Sequence, residues 1–168
     1  YGKDQFGYQN FLWVSNQSAH TLMLEGHSPP ATAHPDNNPH GDMIDAQLTT
    51  EIFGLLAPGA PDVALDIAYY PIRTAGYGDA VLVSEFYVIM HALAAMETRG
   101  QLTPERLNHI AIAARQYLPD DSVPAAMFDF VKRQYEAGLP WEATRDAIYQ
   151  RYQVEQRDGY DVTSRGLY

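Results

Sequence analysis

Between Ala80 and Met96 the chain is apolar at nearly every position, interrupted only by Ser84, Glu85 and His91. An ordinary surface helix carries a single apolar stripe, so a helix apolar on almost every side has to be enclosed by other elements. The run is shorter than the roughly 20 residues a membrane span requires, and two of its interruptions are ionisable, which argues against a span. The expectation is a buried central helix at about 79–98. Asp79 is predicted to cap it, its carboxylate accepting amide hydrogens of the first turn, after a sharp approach through Gly76-Tyr77-Gly78. Glu85 and His91 lie six residues apart and point in different directions, so they do not form one acid/base pair. Each is expected to be structural, Glu85 paired with an arginine or a helix end and His91 hydrogen-bonded in the core.

The remaining pattern is helical as well. Ile44, Leu48, Ile52, Leu55 and Leu56 repeat at helical spacing after Asp42 and stop at Pro58-Gly59, which predicts an amphipathic helix with those residues inward. Pro61 opens a short helix with Val63, Ala64, Ile67 and Ala68 on one face, expected to break at Pro71. Thr103-Pro104-Glu105 begins a helix carrying Leu107, Ile110, Ala111, Ala114, Tyr117 and Leu118. Asp120-Asp121-Ser122 begins another, with Val123, Met127, Phe130, Val131 and Tyr135 inward, and Pro140-Trp141 begins a last one with Trp141, Thr144, Ile148 and Tyr152 on one face. Phe6, Asn10, Trp13 and Val14 suit a short helix. Residues 15–41, rich in Ser, Asn, His, Pro and Gly, read as a long loop with at most a helical turn at Ala19–Leu24.

No stretch alternates at period two. The fold expected is therefore all-α, a compact orthogonal or antiparallel bundle of about six helices around the central one, in a single domain over 1–168, with Glu97–Thr103 as a bend between layers.

Charge narrows the partners. Residues 1–72 hold eight acids against Lys3 alone, and residues 73–168 hold thirteen acids against ten bases, together a net charge of −10. Phosphate neutralisation by lysine and arginine is what sequence-independent nucleic-acid binding depends on, so nucleic acid is not expected as a partner; nor is a membrane, since the apolar run is too short and too interrupted to span one. An anionic ligand near the first half would rely on helix N-termini, backbone amides or a metal, with Arg73 the nearest cationic side chain. There is no cysteine, which excludes disulfide scaffolds, thiolate metal sites and cysteine nucleophiles. His20, His27, His34 and His40 share the early loop, but their spacing matches no compact zinc motif, and exposed loop histidines are the expectation. The chain begins at Tyr1 without a methionine or a signal segment, so its start is expected to be processed, trimmed or internal to something longer.

Several segments, taken in order, resemble the ADP-ribosylglycohydrolase family. They are Ser15-Asn16-Gln17-Ser18-Ala19-His20-Thr21, a Pro-Pro turn, Ile44-Asp45-Ala46-Gln47, and Phe53-Gly54-Leu55-Leu56-Ala57-Pro58-Gly59-Ala60-Pro61. Gly76-Tyr77-Gly78-Asp79-Ala80-Val81 leads into the apolar helix, followed by Leu118-Pro119-Asp120-Asp121-Ser122 and Trp141-Glu142-Ala143-Thr144-Arg145-Asp146 with Arg151-Tyr152. The likeness spans roughly residues 10–153. It implies an all-α hydrolase that cleaves a glycosidic bond to ADP-ribose on a protein or small molecule, with Mg2+ held by acidic motifs. In the family those motifs lie upstream and downstream of this region, and neither a Thr-Asp-Asp nor a Gly-Asp-x-Asp-Thr run occurs between Tyr1 and Tyr168. The glycine segment also departs from the family, with Thr74-Ala75-Gly76 where many relatives carry a histidine. The resemblance thus implies the central part of a larger enzyme, without catalytic or metal residues of its own. Asn16, Ser18, His20, Tyr77, Gly78 and Asp79 are the expected substrate-binding positions. Its partners would include the remaining segments of the same protein, or a second copy through an exposed apolar surface. The alternatives are a catalytically silent helical domain that binds ADP-ribose, a similar nucleotide or another protein, and a structural module whose 12 tyrosines fill its core.

Overall fold

The computed structural model describes residues 5–7, 11–97 and 103–152. They form seven α-helices and no strand: α1 Val14–Leu24, α2 Asp45–Thr50, α3 Pro61–Ala75, α4 Asp79–Ala94, α5 Pro104–Arg115, α6 Val123–Glu136 and α7 Trp141–Tyr152, with a 3-10 helix at Glu51–Leu56 continuing α2. The fold is all-α, as expected. None of the described helices is long and apolar enough to cross a membrane.

The apolar run becomes α4, which buries Ala80, Val81, Val83, Ser84, Val88, Ile89 and Ala92 and packs against α2, the 3-10 helix, α3, α5 and α6. Glu85 pairs with Arg73 at 2.9 Å, and the His91 Nδ1–H donates to the Tyr87 carbonyl at 2.8 Å. Both polar interruptions therefore have partners, as a half-buried ionisable group requires. Thr103 and Ser122 cap α5 and α6, accepting from the amides of Arg106 and Ala125 at 3.4 and 3.2 Å.

Four sequence expectations are corrected. Asp79 is not the cap of α4: Gly78 occupies that position with φ +58°, a conformation that disfavours a side chain, and Asp79 is already the first helical residue, making no side-chain cap bond. α3 does not break at Pro71 but runs on to Ala75. Proline forfeits one backbone hydrogen bond, yet Ile72 and Ala75 are buried beyond it and the Arg73–Glu85 pair ties that turn to α4, so packing outweighs the local cost. The stretch expected as loop from residue 15 is helical to Leu24. Its serines, asparagine and threonine masked the period, but Ala19 is buried and the amide of Ser15 is held by Asp45 at 2.6 Å. The short helix proposed across residues 6–14 falls partly outside the described residues; residues 5–7 form a turn and 11–13 are not helical. Most of the expected bend after Glu97 likewise lies outside them, although Glu97 itself makes an ion pair with Arg106 of α5.

The fourth correction concerns direction. α2 and the 3-10 helix turn Asp45, Ala46, Gln47, Thr50 and Gly54 inward, while Leu48, Ile52, Leu55 and Leu56 are 46%, 57%, 46% and 61% exposed. The apolar stripe faces out because the inner face sits too close to its neighbours for large side chains. A Cβ on Gly54 would strike the carbonyl oxygen of Val88 and lie 2.7 Å from the Cβ of His91. α3 follows the same rule, burying Ala64, Ala68, Ile72 and Ala75 and exposing Val63, Ile67 and Tyr70.

Candidate functional site

A cavity of about 530 Å³ opens where α3 ends and α4 begins. Tyr69, Arg73 and Gly76 line it from α3 and its C-terminal cap, Tyr77, Gly78 and Val81 from the start of α4, and Pro30, Ala31, His34 and Asn37 from the long loop. Its size is that of an ordinary small-molecule site.

The loop wall is held by a buried polar network that begins in α1. The Ser15 hydroxyl donates to the Ala75 carbonyl at 2.5 Å and the Ser15 amide to Asp45 Oδ2 at 2.6 Å. The Asn38 amide group donates to the carbonyls of Ser15 and Thr32, each at 3.1 Å, and the Thr32 hydroxyl donates to the Thr74 carbonyl at 2.8 Å. Ser15, Thr32 and Asn38 are fully buried and Asp45 nearly so. Buried polar groups are costly when unpaired, and here Asn38 ties the loop to α1 and to itself, while Ser15 and Thr32 tie α1 and the loop to α2 and to the C-terminal turn of α3, so the network fixes the loop against the glycine turn. The Tyr77 amide adds a bond to the Gly41 carbonyl at 2.6 Å. Gly41 and Gly76 are both pressed against neighbours: a Cβ on Gly76 would lie 2.8 Å from the Ala46 Cβ, and one on Gly41 would meet the Ala33 carbonyl.

Inside the cavity the side chains are aromatic and weakly charged. The Arg73 guanidinium lies 4.1 Å over the Tyr69 ring while bonded to Glu85, which spaces it rigidly and offsets its charge. The rings of His34 and Tyr77 meet edge to face, with centroids 5.3 Å apart. His34 Nδ1 faces both the amide of Asp36 at 3.3 Å and its carboxylate at 3.4 Å, so the neutral ring accepts from the first and the protonated ring pairs with the second. Asn37 donates to the Ala31 carbonyl at 2.9 Å and closes the loop on itself. Beside the cavity, burial raises the pKa of Asp79, against the pull of the helix N-terminus, which favours the carboxylate.

Of the positions expected to bind substrate, Tyr77 and Gly78 line this cavity, and Asp79 follows them directly in the chain. Asn16, Ser18 and His20 lie on α1, and none of the three is among the lining residues. Ser18 donates back to the Val14 carbonyl at 3.1 Å, and the Asn16 amide nitrogen is buried without a hydrogen-bond partner. α1 reaches the site through Ser15 instead. Arg73, singled out from its position before the glycines, is a lining residue, and so is His34 of the loop histidines. Tyr69 and Asn37 were not anticipated. Tyr69 sits one helical turn before Arg73, a spacing that the supposed break at Pro71 concealed.

Among the described residues no group of three or more His, Asp or Glu side chains could hold a metal ion. The Mg2+ implied by the family resemblance therefore does not fit the residues present, and no chemical step is assigned through it. Comparison with family models, with curated protein sequences and with solved structures finds no match to this chain.

Proposed function

We propose that this chain is the central, substrate-binding portion of an ADP-ribosylglycohydrolase-like hydrolase, with the cavity between α3, α4 and the loop as the wall that receives the ADP-ribosyl group. The observation that carries the reading is the convergence at one cavity of two separate parts of the resemblance: Gly76, Tyr77, Gly78 and Val81 line it, and the segment beginning at Ser15 anchors its loop wall. The chemistry suits a nucleotide. Tyr77, His34 and Tyr69 offer rings to a base, the small residues Gly76 and Gly78 let a ligand approach the backbone, and Arg73 donates hydrogen bonds without a large net charge. Glu85 acts on the ligand only through Arg73, as a positioning residue. Hydrolysis itself, with its metal and the acids that hold it, belongs on this reading to polypeptide outside these 168 residues.

Calorimetric titration of the chain with ADP-ribose tests the proposal. Binding is expected, and Tyr77→Ala should weaken it by about tenfold, since one base–aromatic stack is worth about 1–3 kcal/mol. A folded protein that takes up no ADP-ribose at millimolar concentration would refute the reading.

The lack of a metal-ligating cluster among the described residues favours one second reading, a binding domain without turnover. The two separate on ADP-ribosylated peptide: the longest natural polypeptide containing this chain, supplied with magnesium, releases ADP-ribose on the first reading and only binds it on the second.

A further inference from the structure

We infer that a second recess, between α4 and α6, is a binding site for an uncharged small molecule built on a single aromatic ring. The recess shares no lining residue with the cavity at the glycine turn, so the inference stands apart from the ADP-ribose reading. It measures about 180 Å³, and its walls include Phe86 and Tyr87 of α4, Leu118, and Met127, Phe128 and Val131 of α6. Leu118 and Met127 are buried, and no lining residue is exposed, so these side chains form a concave site and not an outer face. Protein interiors leave few voids larger than a water molecule, and a recess of this size with inward-drawn walls is left for a ligand to fill. Apolar cavities of about 150 Å³ stay dry and take up benzene, which sets the fit at one ring.

The walls select both charge and shape. No lining side chain is charged, and all are apolar except that of Tyr87. Two cations beside the recess are already neutralised. Arg115, which donates to the Leu118 carbonyl at 3.2 Å, pairs with Asp120 and Asp129, and Lys132, next to Val131, pairs with Glu136. A carboxylate or phosphate would therefore lose its hydration and meet no cation in the lining. Burial, and after it the Glu51 carboxylate, raise the Tyr87 pKa, so the field at that wall also disfavours an anion. An ammonium group would be desolvated in the same way, without a carboxylate in the lining to receive it. Water is no better suited, because a buried water needs about two to four polar partners. Ring edges and a thioether complete the selection. Phe86 meets Phe128 and Tyr87 edge to face, with centroids 5.8 and 5.7 Å apart, and Met127 adds a polarizable sulfur, surroundings that favour an aromatic ring over an alkyl chain.

The test uses the full chain, isotope-labelled at its methionine methyl groups and titrated in turn with benzyl alcohol, benzoate, benzylammonium and n-pentanol. Benzyl alcohol is expected to shift the Met127 methyl resonance and to show a nuclear Overhauser contact with it, with a dissociation constant of about 1 mM. Benzoate and benzylammonium, rings of similar size that carry a charge, should bind at least about tenfold more weakly. The alkyl alcohol n-pentanol should bind about threefold more weakly. Val131→Phe, which puts a larger side chain into the recess, should keep its fold by circular dichroism and lose about tenfold or more in affinity. The Overhauser contact locates the ligand without any variant, so the site is tested even where Val131→Phe does not fold. No change at Met127, equal binding of either charged ring, n-pentanol binding as tightly as benzyl alcohol, or undiminished binding to a folded Val131→Phe would each overturn the inference.

Discussion

The two halves of this molecule are held together by different means. From α2 to α4 the contacts are made by small residues at close range: Ala46, Gly54, Ala64, Ala68, Ala75, Ala80 and Ala92 are all buried, and three glycines sit where a methyl group would collide with a neighbour. From α5 to α7 the contacts are looser and more polar. α7 buries no residue, and Arg115 joins α5 to α6 by bonding both oxygens of Asp129, at 3.1 and 2.9 Å, together with Asp120 and the Leu118 carbonyl. Close packing of small residues tolerates no added volume, whereas ion pairs near the surface are screened and adjustable. The cavity belongs to the first half, where it inherits a rigid frame.

The largest expected effect follows from that difference. Gly54→Ala adds one methyl group where the backbone of α4 already stands, and should destabilise the protein by about 3 kcal/mol or prevent folding, measured as the shift in urea midpoint. Alanine substituted for glycine at an unhindered site with ordinary φ would stabilise instead, so an unchanged midpoint would mean that the first half is not close-packed. Asp45→Ala comes next. It leaves the Ser15 amide buried without its acceptor, at a cost of about 2 kcal/mol. Asp45→Asn keeps an acceptor oxygen and should recover most of the loss. If the network also shapes the cavity, ADP-ribose affinity should fall in Asp45→Ala and return in Asp45→Asn.

How much of this was legible beforehand depended on what kind of signal each feature left. α4 was plain because nearly every residue of it is apolar, and the starts of α5 and α6 because Thr103-Pro104-Glu105 and Asp120-Asp121-Ser122 carry capping residues ahead of a helical period. Periodicity located α2 but assigned its buried face wrongly, since it records where large apolar side chains recur and says nothing of how near the neighbouring backbone comes. α1 was hidden for the opposite reason: its inward residues, Ser15 and Ala19, are polar or small, and its hold on the fold comes through Asp45 and Asn38, which are distant in sequence. At the cavity, Tyr77, Gly78 and Arg73 could be found because they surround an obvious glycine turn. Asn37 could not, because its place depends on a loop folded by contacts that no local pattern announces.

The looser half should respond to pH rather than to volume. Hydrogen bonding to Arg115 lowers the Asp129 pKa, so the folded state holds its carboxylate more strongly than the unfolded state does. The resulting stability is present at neutral pH and is lost as pH falls through the lowered value; Asp129→Asn should flatten the decline in urea midpoint between pH 7 and pH 3. Asp79 acts with the opposite sign. Burial raises its pKa, so its ionised form costs stability at neutral pH and acidification relieves that cost, and Asp79→Asn should raise the neutral-pH midpoint slightly.

The smallest expected effect on stability lies two residues from the largest. Ile52 is 57% exposed, and its side chain projects from the outer face of the 3-10 helix whose inner face carries Gly54. Ile52→Gln keeps a similar length and removes only half-solvated apolar surface, so its urea midpoint should match the wild type to within about 0.5 kcal/mol. A loss comparable to that of Gly54→Ala would mean that the stripe is packed against the chain's own residues. Near-zero cost would place the Ile52 side chain outside the packed core, as its exposure indicates, whereas the space at Gly54 decides whether the same segment fits against α4 at all.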